Sequence, residues 1–347
     1  MLMKAVVHAD RIRNIRSLFA IIQGGAMTKV ACVAAELRIP DHLAAGARDA
    51  GALALATGAH APSLHRFMRA LVGLGLCVES DDGCFDLTPT GALLRSDAPE
   101  SLHASAIWYG GRMWETWGNL LHSVRTGESA RKLATGTDGF DHLAGDREAS
   151  QIFNGAMAEM TNLVARELVK CYDFSGLRRI ADIGGGHGAL LATVLEAYPG
   201  MQGLLFDMPH AIAEARARFA GGDPAQRCEF VAGDFFESVP AGVDAYLLKA
   251  IVHDWTDAQS TVILSNCRRV MSAQSRLLLI ERVRADRARA DSLDLAIARA
   301  DLTMLIGPGG KERTLQEFRD LLDASGFRLA RVVSTELEYS VLEAFPR

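Results

Sequence analysis

Short apolar runs alternate with longer amphipathic segments through the second half of the chain. Each run is typical of a buried strand, and the segments between runs repeat apolar residues at helical spacing. Repeated strand–helix units indicate an α/β fold with a parallel, doubly wound sheet. The predicted strands are 180–183, 203–206, 228–231, 243–248 and 276–280, and the predicted helices include 211–219 and 258–270. A helix at 315–324 and two strands at 328–333 and 338–344 close the chain.

A glycine cluster follows the first of these strands. Gly184, Gly186 and Gly188 lie between the strand and an amphipathic helix, where backbone N–H groups can face a ligand. The spacing fits a dinucleotide loop, with Asp207 placed to hold a ribose, and a glycine turn without a ligand stays possible. Asp182 just before the glycines and the closing antiparallel hairpin instead favour S-adenosylmethionine (SAM), since an acidic group suits its cationic methionine end.

Polar residues recur at the carboxyl ends of the predicted strands. Ligands of doubly wound sheets bind at this edge, so we expect these side chains to meet there. They are Asp182, Asp207, Asp234, Lys249 and Glu281.

The N-terminal part predicts a helical unit with a wing. Two helices are expected between Ile12 and Ala45, broken at Gly24-Gly25 and Pro40. Helices at 53–57 and 63–71, with Ser63 as N-cap, precede a hairpin of strands 77–79 and 84–87, which together predict a winged helix. Such a unit can bind DNA, but residues 1–110 contain ten basic and ten acidic side chains. Zero net charge favours packing or dimerisation over nucleic-acid binding.

The segment 101–171 is mostly helical by pattern and carries large side chains, including Trp108, Met113 and Met157. Aromatic and Met residues at helical spacing are more often core residues than pocket residues. A pocket for a flat aromatic guest is the rival interpretation.

The composition argues against several classes of protein: those that bind nucleic acid or acidic lipid, those with a zinc site, and those that span a membrane. The 347 residues are 49% hydrophobic and 23% charged with a net charge of −5, which gives no support to a nucleic-acid or acidic-lipid partner. The six cysteines form no C-x-x-C pair, so reduced thiols in a cytoplasm are expected and a zinc site is not. Gln23 and Gly24 interrupt the N-terminal apolar run, and we expect no membrane span of about 20 residues.

Seven segments occur together in a diagnostic order: FNGAM, DIGGGHGALL, FDMPH, AGDFF, LLKAIVHDW, LLLIERV and GPGGKERT. With the predicted winged helix, the chain resembles SAM-dependent O-methyltransferases of the caffeic acid/hydroxyindole type. It is most similar to the bacterial branch that modifies polyketide, anthracycline, mitomycin or phenazine phenols. The resemblance implies a winged-helix dimerisation domain at 1–100, a helical linker contributing to the acceptor pocket at 101–172, and a Rossmann-like SAM-binding domain at 173–347.

The resemblance also assigns cofactor contacts. Asp182 and the glycines serve the methionine end, Asp207 the ribose hydroxyls, and Asp234 the adenine amino group. The implied set, with S-adenosylhomocysteine as product, is Asp182, Gly184, Gly186, Asp207, Met208, Asp234, Phe235 and Lys249.

By the same resemblance His253 is the general base, and Glu281 and Glu312 are its acidic partners. An imidazole can take a phenol proton as the methyl group moves, and nearby carboxylates orient the ring. No metal is implied. The resemblance also implies a homodimer, and an aromatic acceptor bordered by Asn154, Met157, Asp301 and Met304, with Trp108 and Met113 as further candidates.

Two other functions stay open at this stage. Some relatives of the anthracycline branch hydroxylate or decarboxylate their substrates, although the retained His253, Glu281 and Glu312 argue against that drift. A ligand-responsive regulator that binds DNA through the winged helix is a less favoured interpretation.

Overall fold

The computed structural model describes residues 2–136, 146–219 and 223–347. The chain forms two compact units, one of Met1–Glu115 with Arg147–Glu159 and one of Thr116–Asp146 with Met160–Arg347. Residues 101–172, predicted as one linker, contribute to both units.

The smaller unit combines helices with a three-stranded antiparallel sheet of order β1-β3-β2. The hairpin of β2 and β3 has the predicted bounds, and its Phe85 is buried against Leu53, Leu64 and Met68. The elements are α1 (Leu2–Glu36), α2 (Ile39–Leu43), β1 (Arg48–Asp49), α3 (Ala50–Thr57), α4 (Ala61–Gly73), β2 (Cys77–Glu79), β3 (Cys84–Leu87), α5 (Pro89–Ala92) and α6 (His103–Gly110).

Two local predictions in this unit are wrong. Helix α1 continues through Gly24-Gly25, and Gly25 packs closely on the ring of Trp114: an added Cβ would lie 2.2 Å from that ring. Ser63 is not an N-cap. Helix α4 begins two residues earlier, with His60 as the N-cap residue and proline in its first turn.

One helical segment among the described residues, Asp10–Glu36 of α1, is long and apolar enough to span a membrane by length and composition. This corrects the expectation that no segment reaches that length. Buried helices of water-soluble proteins and signal sequences pass the same test, so it is weak evidence on its own.

Helices α7–α10 come next in the chain, and the mostly helical pattern predicted for 101–171 is confirmed within its described residues. They are α7 (Arg112–Gly118), α8 (Leu120–Thr126), α9 (Ala130–Thr135) and α10 (Arg147–Cys171).

The larger unit is built on an eight-stranded sheet of order β10-β11-β8-β7-β4-β5-β6, with β9 paired to β8. Strands β4 to β8 run parallel, whereas β10 and β11 form an antiparallel hairpin on β8. The predicted α/β sheet and its closing hairpin are confirmed. The strands are β4 (Arg179–Ile183), β5 (Gln202–Asp207), β6 (Cys228–Ala232), β7 (Ala245–Lys249), β8 (Arg276–Arg284), β9 (Arg313–Thr314), β10 (Phe327–Ser334) and β11 (Tyr339–Pro346).

Helices cover both faces of this sheet, so each central strand is buried on both sides. Alternate residues of one strand enter different clusters: Ile180 joins Leu247 and Leu278, whereas Ala181 joins Leu248. The helices are α11 (Ala189–Ala197), α12 (Pro209–Phe219), α13 (Asp223–Gln226), α14 (Asp257–Val270), α15 (Ser292–Ile306) and α16 (Leu315–Ala324).

Gly91 is a packing constraint in the smaller unit, since an added Cβ would lie 1.8 Å from the carbonyl oxygen of Leu76. We expect Gly91→Ala to lower the free energy of unfolding by about 1–3 kcal/mol, because backbone must move to make room. Urea unfolding measures this. Gly73→Ala is the control: its Cβ meets nothing within 4 Å, so the change should stay within about 1 kcal/mol. Equal effects of the two variants would contradict the packing argument.

Candidate active site

The glycine loop joins β4 to α11 in a backbone conformation that requires glycine. Gly184, Gly186 and Gly188 have φ values of 70°, 57° and 75°, in the left-handed region. Gly184 N–H donates to the carbonyl of Phe206 (2.8 Å), which ties the loop to β5. An added Cβ on Gly185 would lie 2.5 Å from the carboxylate of Asp182. The loop therefore lies directly over that carboxylate.

Asp182 has a buried carboxylate in which one oxygen lacks a hydrogen-bond partner among the residues that the structure describes. Its Oδ2 has no hydrogen-bond partner within the described ranges. Burial raises its pKa to about 7, against the lowering effect of Lys249 and with a further increase from Asp207. A buried unpaired oxygen is costly unless a ligand supplies a donor or a positive charge. This site fits the cationic end of the predicted cofactor.

Asp207 and Asp234 both hold backbone N–H groups at the edge of the sheet. Asp207, the last residue of β5, accepts from Gly186 (2.7 Å) and Met208 (2.6 Å). Asp234 follows β6 and accepts from Phe236 N–H (2.8 Å). These bonds orient both carboxylates, and each oxygen keeps further lone pairs for a ligand.

Two apolar side chains accompany these carboxylates. Met208 is 44% exposed. The ring of Phe235 packs edge-to-face on Phe236 and Trp255, with centroids 5.0 and 6.1 Å apart. Both residues lie at the strand ends where a purine ring is expected.

Lys249 ends β7 and donates to Thr161 Oγ1 (3.0 Å). Burial and the nearby Arg282 lower its pKa to about 8, although Asp182, Glu281 and Asp254 oppose the shift. It supplies a positive charge beside the carboxylates of the site.

His253 lies in a 3₁₀ turn, Val252–Asp254, that directly follows β7. The turn is entered through Ala250, whose φ of 53° is left-handed. The imidazole is 6% exposed. Its Nδ1 is 3.0 Å from Glu312 Oε1 and 3.8 Å from Glu281 Oε2, while Nε2 is 3.5 Å from Asp254 Oδ1. The structure thus brings the three predicted catalytic residues together.

The two glutamates have different supports. Glu281 Oε1 accepts from Ile251 and Val252 N–H (3.0 and 2.8 Å), so it also holds the turn. Glu312 is bonded to the His253 ring and is 3.4 Å from Arg282. Each glutamate keeps its Oε2 without a hydrogen-bond partner among the described residues.

Charge in this cluster favours an imidazolium. Burial lowers the pKa of His253, but Asp254, Glu281 and Glu312 outweigh it and raise the pKa to about 9. Burial raises the pKa of Glu281 to about 7. The pKa of Glu312 is lowered, because the His253 and Arg282 charges outweigh its burial.

The same three side chains could also face a cation, since ligand atoms of His253, Glu281 and Glu312 lie within 4.8 Å of one another. The sequence showed no such ligand cluster. His253 Nδ1 is hydrogen-bonded directly to Glu312, however, and the protonated ring itself supplies a positive charge between the carboxylates. This arrangement favours an ion-paired imidazolium over a metal ion.

The predicted acceptor residues divide between the two units. Asp301 and Met304 lie on α15 of the larger unit, where Asp301 Oδ1 accepts from Glu312 N–H (2.8 Å). Asn154, Met157, Trp108 and Met113 belong to the smaller unit. Trp108 and Met113 are 4% and 1% exposed, and Trp108 packs edge-to-face on Phe153. Their acceptor role stays a prediction.

The sequence analysis did not identify Arg282 as a residue of the site. It also predicted no helix for 292–306, the segment that forms α15 and contains Asp301 and Met304. Arg282 lies 4.3 Å over the ring of Tyr339 and contacts Glu312. Its one signal in the sequence is its place directly after Glu281.

Comparison with known proteins identifies the family. A family model of an O-methyltransferase domain matches residues 117–328, and a model of an O-methyltransferase dimerisation domain matches residues 19–97. The chain is 41% identical to phenazine O-methyltransferase from Lysobacter antibioticus, over 95% of each chain. It is 30% identical to phenazine-1-carboxylate N-methyltransferase from Pseudomonas aeruginosa, over 95% of this chain and 96% of that one.

A solved structure agrees with these relatives. Human N-acetylserotonin methyltransferase in complex with SAM aligns with a TM-score of 0.89 and 26% identity, over 96% of this chain and 97% of that one. The glycine loop and the Oδ2 of Asp182, unpartnered among the described residues, are compatible with the same cofactor. The chain therefore belongs to the SAM-dependent O-methyltransferases in which a dimerisation domain precedes the methyltransferase domain.

Proposed function

We propose that this enzyme methylates a phenolic hydroxyl of an aromatic natural product, with His253 as general base. The observation that carries the proposal is the bracketed imidazole: His253 Nδ1 faces Glu312 and Glu281, one turn beyond the strand that ends in Lys249. A phenol is a poor nucleophile until it loses its proton, and the neutral form of this imidazole, which forms as the pH approaches its pKa of about 9, can accept it.

The other residues of the site have binding and orienting roles in this proposal. SAM supplies an electrophilic methyl group on a positively charged sulfur. Asp182, the loop glycines and Lys249 are assigned to its methionine end, Asp207 to the ribose, and Asp234, Met208 and Phe235 to the adenine. Because transfer is an in-line displacement, holding the acceptor oxygen at the correct distance supplies much of the rate.

His253 then holds the phenol proton while its carboxylate neighbours stabilise the resulting charge. The high pKa of the ring brings it near that of a phenol, about 10, so the proton moves between groups of similar strength. Asn154, Met157, Asp301, Met304, Trp108 and Met113 are proposed to border the acceptor.

Methylation at nitrogen is the second candidate, because one relative is a phenazine-1-carboxylate N-methyltransferase. A neutral ring nitrogen has a free lone pair and needs no base. The buried imidazole and its two carboxylates favour a hydroxyl acceptor, because a general base is needed only where the acceptor must lose a proton.

We further infer a cytoplasmic homodimer. The matched dimerisation domain supports the dimer. The described cysteines are all free, in keeping with a reducing compartment. The domain boundaries at 100 and 172 stay predictions.

A panel of acceptors tests the reaction. Purified enzyme with SAM and hydroxylated phenazines, naphthoates and indoles should yield products heavier by the mass of CH₂ per transfer, with the methyl group on oxygen by NMR. Products methylated only on nitrogen would favour the second candidate. Turnover of a nicotinamide instead of SAM would contradict the proposal.

Replacing His253 by Asn should lower kcat by about 10²–10⁴-fold, because the variant lacks the proton acceptor. The Kd of S-adenosylhomocysteine, measured by calorimetry, should stay within about twofold, as expected if the ring acts on the acceptor side. His65→Asn is the control, a partly exposed histidine of the smaller unit. A wild-type kcat for the His253 variant on a phenol would remove the base from the mechanism.

The pH dependence follows from the raised pKa of His253, about 9. Below this pH the ring is already protonated and cannot accept a proton, so activity should rise with pH and level off above about 9. The profile is measured as kcat from pH 6 to 10 on an acceptor whose hydroxyl has a pKa near 10. A flat profile across neutral pH would show that His253 is neutral there or is not the base.

A further inference from the structure

Three residues around Glu312 have no part in the mechanism above, although they belong to the same GPGGKERT segment. Gly310, Lys311 and Arg313 all contact the backbone of the turn that carries His253. We call these three residues the clasp.

Arg313 makes the most extensive of these contacts. It is fully buried in β9. Its Nη1 donates to the carbonyl of Val252 (2.7 Å) and its Nη2 to that of Trp255 (2.9 Å), one on each side of His253. Asp257 Oδ1 accepts from Nε and Nη2 (2.9 and 2.8 Å) and anchors the guanidinium to the start of α14.

The planar guanidinium suits this task better than an ammonium group. Its donors form a rigid fork, so it can bond two carbonyls and a carboxylate in one geometry. Burying such a group is costly. The same two carbonyls also accept longer bonds from Ser260 Oγ on α14 (3.3 and 3.5 Å), and that of Val252 accepts one from Trp255 N–H (3.4 Å). Arg313 makes the shortest bonds to both carbonyls, 2.7 and 2.9 Å, and so fixes their spacing.

The other clasp residues act on His253 itself. Lys311 N–H donates to the carbonyl of His253 (2.9 Å). Gly310 packs so closely that an added Cβ would lie 1.9 Å from the same carbonyl oxygen. From the opposite side, Glu281 holds the N–H groups of Ile251 and Val252. Glu281 therefore holds N–H donors of the turn, and the clasp, together with Ser260 Oγ, holds its carbonyl acceptors.

We propose that Arg313 is a positioning residue for the reaction: through the clasp it sets where the His253 imidazole stands relative to Glu281, Glu312 and the acceptor oxygen. The inference rests on the proposed role of His253 as base. The turn starts from the left-handed Ala250 and is a single 3₁₀ turn. Its own backbone bonds are those from Asp254 N–H to the carbonyl of Ile251 (3.1 Å) and from Trp255 N–H to that of Val252 (3.4 Å), so contacts from outside the turn contribute to where it places the ring. A misplacement of about 1 Å at a reacting group can cost on the order of 10²-fold in rate.

The test compares Arg313→Lys with Arg227→Lys. Lysine keeps the charge beside Asp257 but cannot bond both carbonyls of the turn. Arg227 is the matched control, because its guanidinium also donates to backbone carbonyls, those of Met201 and Leu195 (2.9 Å each), near the C-terminal end of α11. Gly310→Ala is a second variant that displaces the same turn by a different route.

Two readouts separate positioning from folding. In protein labelled with ¹⁵N-histidine, the His253 ring should titrate near pH 9 in the wild type. It should titrate lower, towards 6.5, in Arg313→Lys and Gly310→Ala, because the ring moves away from its carboxylates. With 1-hydroxyphenazine as probe acceptor, kcat should fall by about 10–100-fold, while the KM for SAM stays within about twofold. Arg227→Lys should keep both the titration and kcat.

An unchanged titration and an unchanged kcat in Arg313→Lys would overturn the clasp. So would a loss of kcat in both arginine variants alike, since that marks a general loss of folded enzyme. The titration needs no acceptor, so it tests whether Arg313 positions the His253 ring even if 1-hydroxyphenazine is not methylated. Full activity of His253→Asn would instead contradict the base, and the titration in Arg313→Lys would still report on the clasp.

Discussion

An imidazole and three carboxylates share one buried corner of the larger unit, and their charges must balance without water. Glu312 is bonded to the ring and Arg282, Glu281 to two backbone N–H groups, and Asp254 faces Nε2. Removing any one charge leaves the others uncompensated in a low-dielectric site. The turn supplies His253 and Asp254, β8 supplies Glu281 and Arg282, and Glu312 directly precedes β9.

Much of this arrangement was predictable because parallel sheets obey a simple rule. Apolar runs identify β4 to β8, and the carboxyl ends of parallel strands lie at one edge. Asp182, Asp207 and Lys249 could therefore be grouped from the sequence before any distance was known. The bounds of β2, β3 and α16 were equally accessible, since turn residues and a capping Thr314 delimit them.

What the sequence could not supply depends on contacts between distant segments. Gly24-Gly25 is typical of a helix break, yet the helix continues there and Gly25 packs on the ring of Trp114, a contact between segments distant in the chain. Arg282 and Arg313 are single cations among many in the chain, and only the folded backbone shows that they face Glu312 and the His253 turn. The candidate acceptor residues come from helices that are distant in the chain, and residue spacing does not specify their arrangement.

Glu312 and Arg313 are neighbours in the chain but contact different parts of the turn. Glu312 bonds to the imidazole ring of His253, whereas Arg313 bonds to backbone carbonyls on either side of it. Adjacent residues of an extended segment point to opposite sides, and β9 is registered on β8 through Val283 and Arg313. Adding or deleting one residue between Gly310 and Thr314 would exchange the two targets. A one-residue insertion or deletion should therefore be tolerated better before Gly310, in loop 285–291 or at the end of α15, than within this short segment.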